Sequence, residues 1–141
     1  MNASAADTDN DPDPDLNGFA RRFVRDRLGC GCPEEVLARM EIDTLPGLTR
    51  LRVGGRLLVH VRACPCPDRL PHLLAGWLAE GVAQRDAQGF NRFRLVLSTD
   101  DEAAVRPVAE ALFANLGGDD RRHLHLVKPA ELGTLLPPAG A

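Results

Sequence analysis

The spacing of apolar residues changes from helical to strand-like and back along the chain. Between residues 16 and 29, apolar side chains recur every three or four positions around Phe23, and Gly29 follows them. This pattern predicts an amphipathic helix that ends at the glycine. A second helix is predicted from Pro33 to Met40, because proline suits the first helical turn and two glutamates follow it. Together the two helices form a predicted N-terminal helical arm over residues 16–42.

Alternation with a period of two begins at Leu48 and continues to Ala63, with a break at two glycines. This pattern predicts a β-hairpin. A two-residue loop would mix the apolar and polar faces of the two strands. A three-residue loop, Gly54 to Arg56, instead pairs Val53 with Leu57 and keeps the apolar residues on one face. We therefore predict the three-residue loop, since the buried face sets the register.

The rest of the chain alternates between the two periods. The predicted elements are a helix over 67–86, a strand from 92 to 97, a helix that begins after a Thr99-x-x-Glu102 capping box, a strand over 122–127 and a short helix over 129–136. Strands separated by helices in this way are typically parallel and joined by right-handed crossovers. We predict an α/β fold whose four-stranded mixed sheet is a β-hairpin followed by β-α-β-α-β, preceded by the helical arm.

The chain has 141 residues, enough for one domain with a real core. Residues 1–15 are rich in aspartate and poor in apolar side chains, which predicts a disordered acidic tail. The single domain is predicted to span 16–136, divided into the arm at 16–42 and the sheet with its crossover helices at 48–136. Residues 137–141 are predicted to be a loose C-terminal tail.

The composition of the chain argues against nucleic acid and membranes as binding partners. The net charge is −3 and aromatic residues make up 4% of the chain, so neither a basic surface nor a stacking platform for nucleic acid is indicated. No apolar run is long enough to cross a membrane, and no secretory signal is visible. We therefore expect a cytoplasmic protein with a protein partner. The sequence gives no indication of the oligomeric state.

The clearest candidate chemistry lies in two matched Cys-x-Cys-Pro elements. Cys30 and Cys32 form the first, and Cys64 and Cys66 form the second; in each, an acidic residue and a predicted helix follow. The second cysteine of each pair should therefore lie near a helix N-cap, where the helix dipole stabilises a thiolate. Thiolate is both the metal ligand and the sulfur nucleophile, so this placement suits either chemistry.

The first hypothesis is a metal site that uses all four cysteines. Four thiolates are a suitable ligand set for zinc or an iron–sulfur cluster, although Cys-x-Cys is a tighter spacing than zinc sites normally have and also suits Cu(I). If the two elements meet in space, Cys30, Cys32, Cys64 and Cys66 would be the ligands. The protein would then be an accessory protein in metal handling, electron transfer or assembly.

The alternative hypothesis is sulfur transfer or thiol-redox chemistry through Cys64 or Cys66, with Cys30 and Cys32 as resolving partners. Small buried cysteines without any chemistry are a further possibility. Stable disulfides are not favoured in the reducing compartment that we expect.

Cys64-Pro65-Cys66-Pro67, placed after a strand and before a helix, resembles the Cys-Pro-x-Pro element of small bacterial sulfur-carrier proteins that relay persulfide. The resemblance implies that Cys64 would carry the sulfur. The stretch from Gly29 to Val36 is also similar to that family's Gly-x-x-Cys-Pro-Glu-Pro-Val, but Glu35 stands where the second proline belongs. The segment Leu28–Val36 also resembles the start of a group of small uncharacterised bacterial proteins, which implies no function.

Two other sets of residues are candidates for binding. His123 and His125 share a strand face and His60 is on a neighbouring strand, so a three-histidine metal site is conceivable, with exposed sheet histidines as the alternative. Five arginines are predicted to share one sheet face and to bind an anion or a protein partner, with a simple solvated face as the alternative. They are Arg50, Arg52, Arg62, Arg92 and Arg94.

No phosphate-binding loop, dinucleotide fingerprint or nucleophile elbow is present in the sequence. The acidic run at residues 100–102 fits helix capping better than acid–base catalysis. The sequence therefore favours a role without catalysis, and a pure interaction module that uses the arginine face is a second alternative to metal binding.

Overall fold

The computed structural model describes residues 14–29, 31–65 and 67–137. The predicted acidic tail lies outside these residues, except for Pro14 and Asp15, which already belong to the first helix. Residues 138–141 of the predicted C-terminal tail also lie outside. Cys30 and Cys66, one cysteine of each Cys-x-Cys-Pro element, lie outside the described residues as well.

A five-stranded mixed sheet forms the centre of the fold. Its strands are β1 (Met40–Leu45), β2 (Leu48–Val53), β3 (Leu57–Ala63), β4 (Arg92–Ser98) and β5 (Arg122–Val127). They lie in sequence order across the sheet. The first three are antiparallel, and β3, β4 and β5 are parallel. The predicted α/β class and mixed sheet are therefore confirmed, but the sheet has five strands where four were predicted.

The helices flank this sheet. They are α1 (Pro14–Arg22), which continues into a π-helical turn (Phe23–Arg27), α2 (Glu34–Leu37), α3 (Leu70–Gln88), α4 (Glu102–Leu116) and α5 (Pro129–Leu132), followed by a 3-10 turn (Gly133–Leu135). None of the helices built from the described residues has the length and apolar character needed to span a membrane.

The predicted hairpin has the predicted register. Val53 lies opposite Leu57, and the three residues from Gly54 to Arg56 form the loop. The extra strand, β1, replaces the end of the predicted second helix, since α2 stops at Leu37 and Met40 already belongs to the sheet. The turn between β1 and β2 places Gly47 at a φ of 72°, a left-handed conformation that glycine adopts without strain.

Two helix starts also differ from the predictions. Helix α3 begins at Leu70 after its N-cap Arg69, three residues later than the predicted start at 67; Cys66 lies outside the described residues. Helix α4 is capped by Asp101, whose carboxylate accepts a hydrogen bond from the N–H of Ala104. Thr99 does not cap the helix; its hydroxyl accepts a bond from the N–H of Asp101.

Both faces of the sheet are covered, which creates two apolar cores. On one face, the arm, α5 and the 3-10 turn pack around Val59, Val61 and Val96. On the opposite face, α3 and α4 pack around Leu58, Phe93 and Leu95. We call these the arm face and the helix face. Because side chains alternate between faces along a strand, each strand contributes to both cores.

Candidate functional site

The five arginines predicted to share a surface are divided between the two faces. Strand register places Arg94 opposite Val59, on the arm face, whereas Arg50 lies opposite His60, on the helix face. By alternation, Arg52 and Arg62 belong with Arg50, and Arg92 belongs with Arg94. The single arginine face predicted from the sequence is therefore wrong, because the strands bury apolar residues on both sides.

The arginines on the helix face have carboxylate partners. Asp43 accepts hydrogen bonds from Nε of Arg50 and Nε of Arg52, both at 3.0 Å. Arg62 donates to Glu80 at 2.9 Å, and its guanidinium lies 5.0 Å from the centre of the Trp77 ring. Burial opposes the charge of Asp43, but the two arginines outweigh it and lower the pKa of this carboxyl. These charges are locally compensated.

On the arm face, the arginines instead border a pocket. The pocket has a volume of about 540 Å³ and lies where β3, β4 and β5 begin. We call it the arginine pocket. The loop between the π-helical turn and α2 forms one side of it, and the starts of the three parallel strands form the other. Its lining residues are Gly29, Gly31, Cys32, Arg56, Leu57, Asn91, Arg92, Arg94 and His123.

The arginine pocket has an excess of positive charge. Three guanidinium groups line it, those of Arg56, Arg92 and Arg94, and among the described residues no carboxylate lies within 4 Å of any of them. The carboxylate of Asp120 acts on nearby His123, but Asp120 does not line the pocket. Burial and the charge of Arg92 lower the pKa of Arg94. The pocket therefore attracts anions.

Two histidines accept hydrogen bonds from these arginines. Nη1 of Arg92 lies 3.1 Å from Nε2 of His123, and Nη1 of Arg94 lies 2.9 Å from Nε2 of His125. Because a guanidinium only donates, both imidazoles must be neutral with an unprotonated Nε2. Burial, followed by the charge of Arg94, lowers the pKa of His125 to about 4 and also lowers the pKa of His123.

The three-histidine metal site is not formed. His123 and His125 are on the arm face, whereas His60 is on the helix face, opposite Leu95 in the register. The sheet separates them. Within residues 14–29, 31–65 and 67–137, no group of three histidine, cysteine or acidic side chains is arranged to hold a metal ion.

Cys32 lines the arginine pocket, is partly buried against the arm-face core, and is disulfide-bonded. It directly precedes Pro33, the N-cap of α2, as the sequence predicted for the second cysteine of this element. Cys30 lies outside the described residues. The loop that holds Cys32 follows Leu28, which is buried in the arm-face core and so fixes the loop beside the strand ends.

Cys64 lies at the opposite end of β3. Its N–H donates to the carbonyl of Ser98 at 2.8 Å, and its side chain packs against the helix-face core. Six strand residues separate it from Leu57, which lines the arginine pocket, a distance of roughly 20 Å at ~3.3 Å per residue. Two sulfurs on one zinc ion lie less than about 5 Å apart. The structure therefore does not bring Cys32 and Cys64 together, and metal binding by either element stays a prediction.

Sequence reasoning missed this pocket as a unit. Arg56, Arg92 and Cys32 come from three segments far apart in the chain, and only the parallel register brings them together. The available signal was that β4 and β5 both begin with alternating basic residues, at 92 and 94 and at 123 and 125.

Comparison with protein-family models, with curated proteins and with solved structures finds no match for this chain.

Proposed function

We propose that this protein is a thiol-redox protein whose reactive sulfur is Cys32. One observation carries the proposal: Cys32 is disulfide-bonded and lines the arginine pocket. The chemistry is the one that the sequence offered as the alternative to metal binding, but it is assigned to the first cysteine element instead of the second. The sulfur-carrier role implied for Cys64 stays a prediction.

The surroundings of Cys32 support this chemistry. A thiolate is the nucleophile in disulfide exchange, and neighbouring guanidinium groups favour thiolate over thiol. Arg56, Arg92 and Arg94 provide that positive charge, and no carboxylate of the described residues forms an ion pair with them. In the reducing cytoplasm expected for this protein, a disulfide is typically transient and catalytic or redox-sensing. A disulfide beside uncompensated arginines therefore fits a working redox group better than a structural cross-link.

The proposed reaction is a two-step exchange. In the reduced protein, the thiolate of Cys32 attacks one sulfur of a substrate disulfide; that S–S bond breaks, a bond to Cys32 forms, and a substrate thiolate leaves and takes up a proton. The protein sulfur that is bonded to Cys32 in the oxidised state then attacks Cys32. The protein disulfide re-forms and a second substrate thiol leaves. The substrate gains two electrons and the protein dithiol loses two.

A redox titration of the full chain tests the proposal. The protein is equilibrated in dithiothreitol buffers of graded potential, its free thiols are alkylated, and it is digested with trypsin. Cleavage after arginine places the first element in the peptide spanning 28–39 and the second in the peptide spanning 63–69. We expect the alkylation of Cys32, in the 28–39 peptide, to follow a two-electron transition with a midpoint above about −300 mV, the range of labile disulfides.

Matched variants complete this test. Cys32→Ser should abolish the transition, whereas Cys64→Ser, at the far end of β3, should leave its midpoint unchanged. A 28–39 peptide that is fully alkylated at every potential would contradict the proposal. So would a midpoint far below −300 mV, which is typical of a structural disulfide.

A further inference from the structure

The arginine pocket has features of a binding site that the redox chemistry alone does not require. Thiolate stabilisation needs one nearby cation, whereas three arginines line this pocket, together with Asn91. We propose that the pocket binds the oxyanion groups of a small thiol or disulfide substrate and so holds its sulfur beside Cys32. This inference rests on the redox role proposed for Cys32.

The pattern of counter-charges in the rest of the molecule supports anion binding. Arg50 and Arg52 share Asp43, and the buried Arg85 makes two hydrogen bonds to Asp119, at 2.9 and 2.6 Å. These arginines of the sheet and of α3 are thus paired with acids. The guanidinium groups of the pocket have no such partner among the described residues.

The donors of these guanidinium groups are only partly used. Arg94 donates through Nη1 to His125, while its Nε is buried and has no hydrogen-bond partner in the described part of the chain. Arg92 donates through Nη1 to His123 and to the carbonyl of Asp120. Both partners are neutral, so neither cancels the charge. A carboxylate or phosphate would supply acceptor oxygens in the fork geometry that arginine matches best.

The size of the pocket and the position of Cys32 limit the ligand. A volume of about 540 Å³ lies within the range of small-molecule sites and is too small for a folded partner. Because Cys32 lines the same pocket, a substrate held by its oxyanion would share that pocket with Cys32. The substrate class is therefore a small thiol or disulfide that carries carboxylate or phosphate groups.

Oxidation rates with disulfides of different charge test this inference. The reduced full-length protein is mixed with glutathione disulfide, which is anionic, with 2-hydroxyethyl disulfide, which is neutral, or with cystamine, which is cationic. Each rate is divided by the rate of dithiothreitol with the same disulfide. We expect the anionic disulfide to exceed the cationic one by at least about tenfold. Added salt should reduce this preference.

Variants identify the groups responsible. Arg92→Gln, at an exposed position, and Arg94→Gln should each reduce the preference for the anionic disulfide several-fold. The control Arg50→Gln/Arg52→Gln removes two positive charges from the helix face and should preserve it. If Arg94→Gln fails to fold, the effect of salt on the anionic preference of the wild-type protein still tests whether positive charge is responsible.

The outcomes separate the inference from the proposed function. Equal normalised rates for the three disulfides would overturn the inference and leave the redox role intact. If no disulfide oxidises Cys32, the redox role fails, and the inference fails with it as a statement about substrate. Calorimetric titration of the protein with succinate and with inorganic phosphate shows which oxyanion the pocket holds. If the protein reacts with disulfides but binds neither anion, the inference is also overturned.

Discussion

His60 is a fully buried histidine on the helix face. Its Nε2 lies 2.9 Å from Oε1 of Gln84, and its ring packs edge-on against Phe93 with the ring centres 5.0 Å apart. Burial, the largest cause, lowers the pKa of His60 to about 4. The folded protein therefore holds this imidazole neutral at pH values where an unfolded chain would protonate it.

The shift makes stability depend on pH in a defined window. Between pH 6.5 and about 4 the unfolded chain takes up a proton at this position and the folded protein does not, so the free energy of unfolding falls as the pH falls. Across this whole pH range, the free energy of unfolding falls by up to about 3 kcal/mol through His60. We expect His60→Leu to flatten the pH dependence of stability, measured by urea unfolding at several pH values. Parallel curves for variant and wild type would contradict this account.

The positions of the cysteines relative to helix starts were only partly predictable from the sequence. The position of Cys32 beside the N-cap of α2 was predicted correctly, because proline and two glutamates mark that helix start locally. The predicted start of the following helix at 67 was wrong, since α3 starts only at Leu70; Cys66 itself lies outside the described residues. The role of neither cysteine follows from its own motif, because the arginines that line the pocket with Cys32 come from other segments.

At the scale of elements, the packing of α3 on the sheet depends on a glycine. Gly81 is buried, and a Cβ added there would overlap the ring of Phe93 on β4. Gly76 lies on the same helix, but a Cβ there would meet no atom within 4 Å. The two glycines therefore form a matched pair for substitution.

Gly81→Ala should destabilise the protein by about 1–3 kcal/mol, because the ring or the helix must move to make room. Gly76→Ala should stabilise it by roughly 0.5–1 kcal/mol through helix propensity. Chemical denaturation of both variants measures the difference. Equal effects of the two substitutions would show that α3 does not approach β4 this closely.

The elements were predictable where the pattern is local. The hairpin register follows from the alternation around its loop, and β5 was predicted with its observed bounds. Strand β1 was missed because its first residues, Met40 to Ile42, were assigned to the predicted helical arm. Its Asp43 is stabilised by Arg50, its register partner on β2, and Arg52. That contact is not visible from the segment 40–45 alone.

At the scale of the whole molecule, the two faces of the sheet differ in how their charges are compensated. The helix face carries compensated charges and a packed core, whereas the arm face carries the arginine pocket at the amino ends of the parallel strands. The fold class was predictable from the order of helices and strands. The pocket was not, because its position depends on where the arm lies over the sheet.

The separation of Cys32 and Cys64 also could not be predicted from their local sequence. Two similar motifs suggested one shared site, but they flank opposite ends of β3. Similarity of local sequence carries no information on spatial proximity. The redox account requires Cys32 and the sulfur bonded to it, whereas the four-thiolate metal site requires all four cysteines to meet at one centre.

The most direct test is the mass of the protein purified without oxygen, reductant or chelator and then exposed to air. The redox account predicts equal native and denatured masses, with the air-exposed mass lower than the fully reduced mass by two hydrogen atoms. One of the two missing hydrogens should map to Cys32, in the 28–39 peptide. Mass lost on denaturation that matches a zinc ion or an iron–sulfur cluster, with all four cysteines then open to alkylation, would contradict it and favour the metal site.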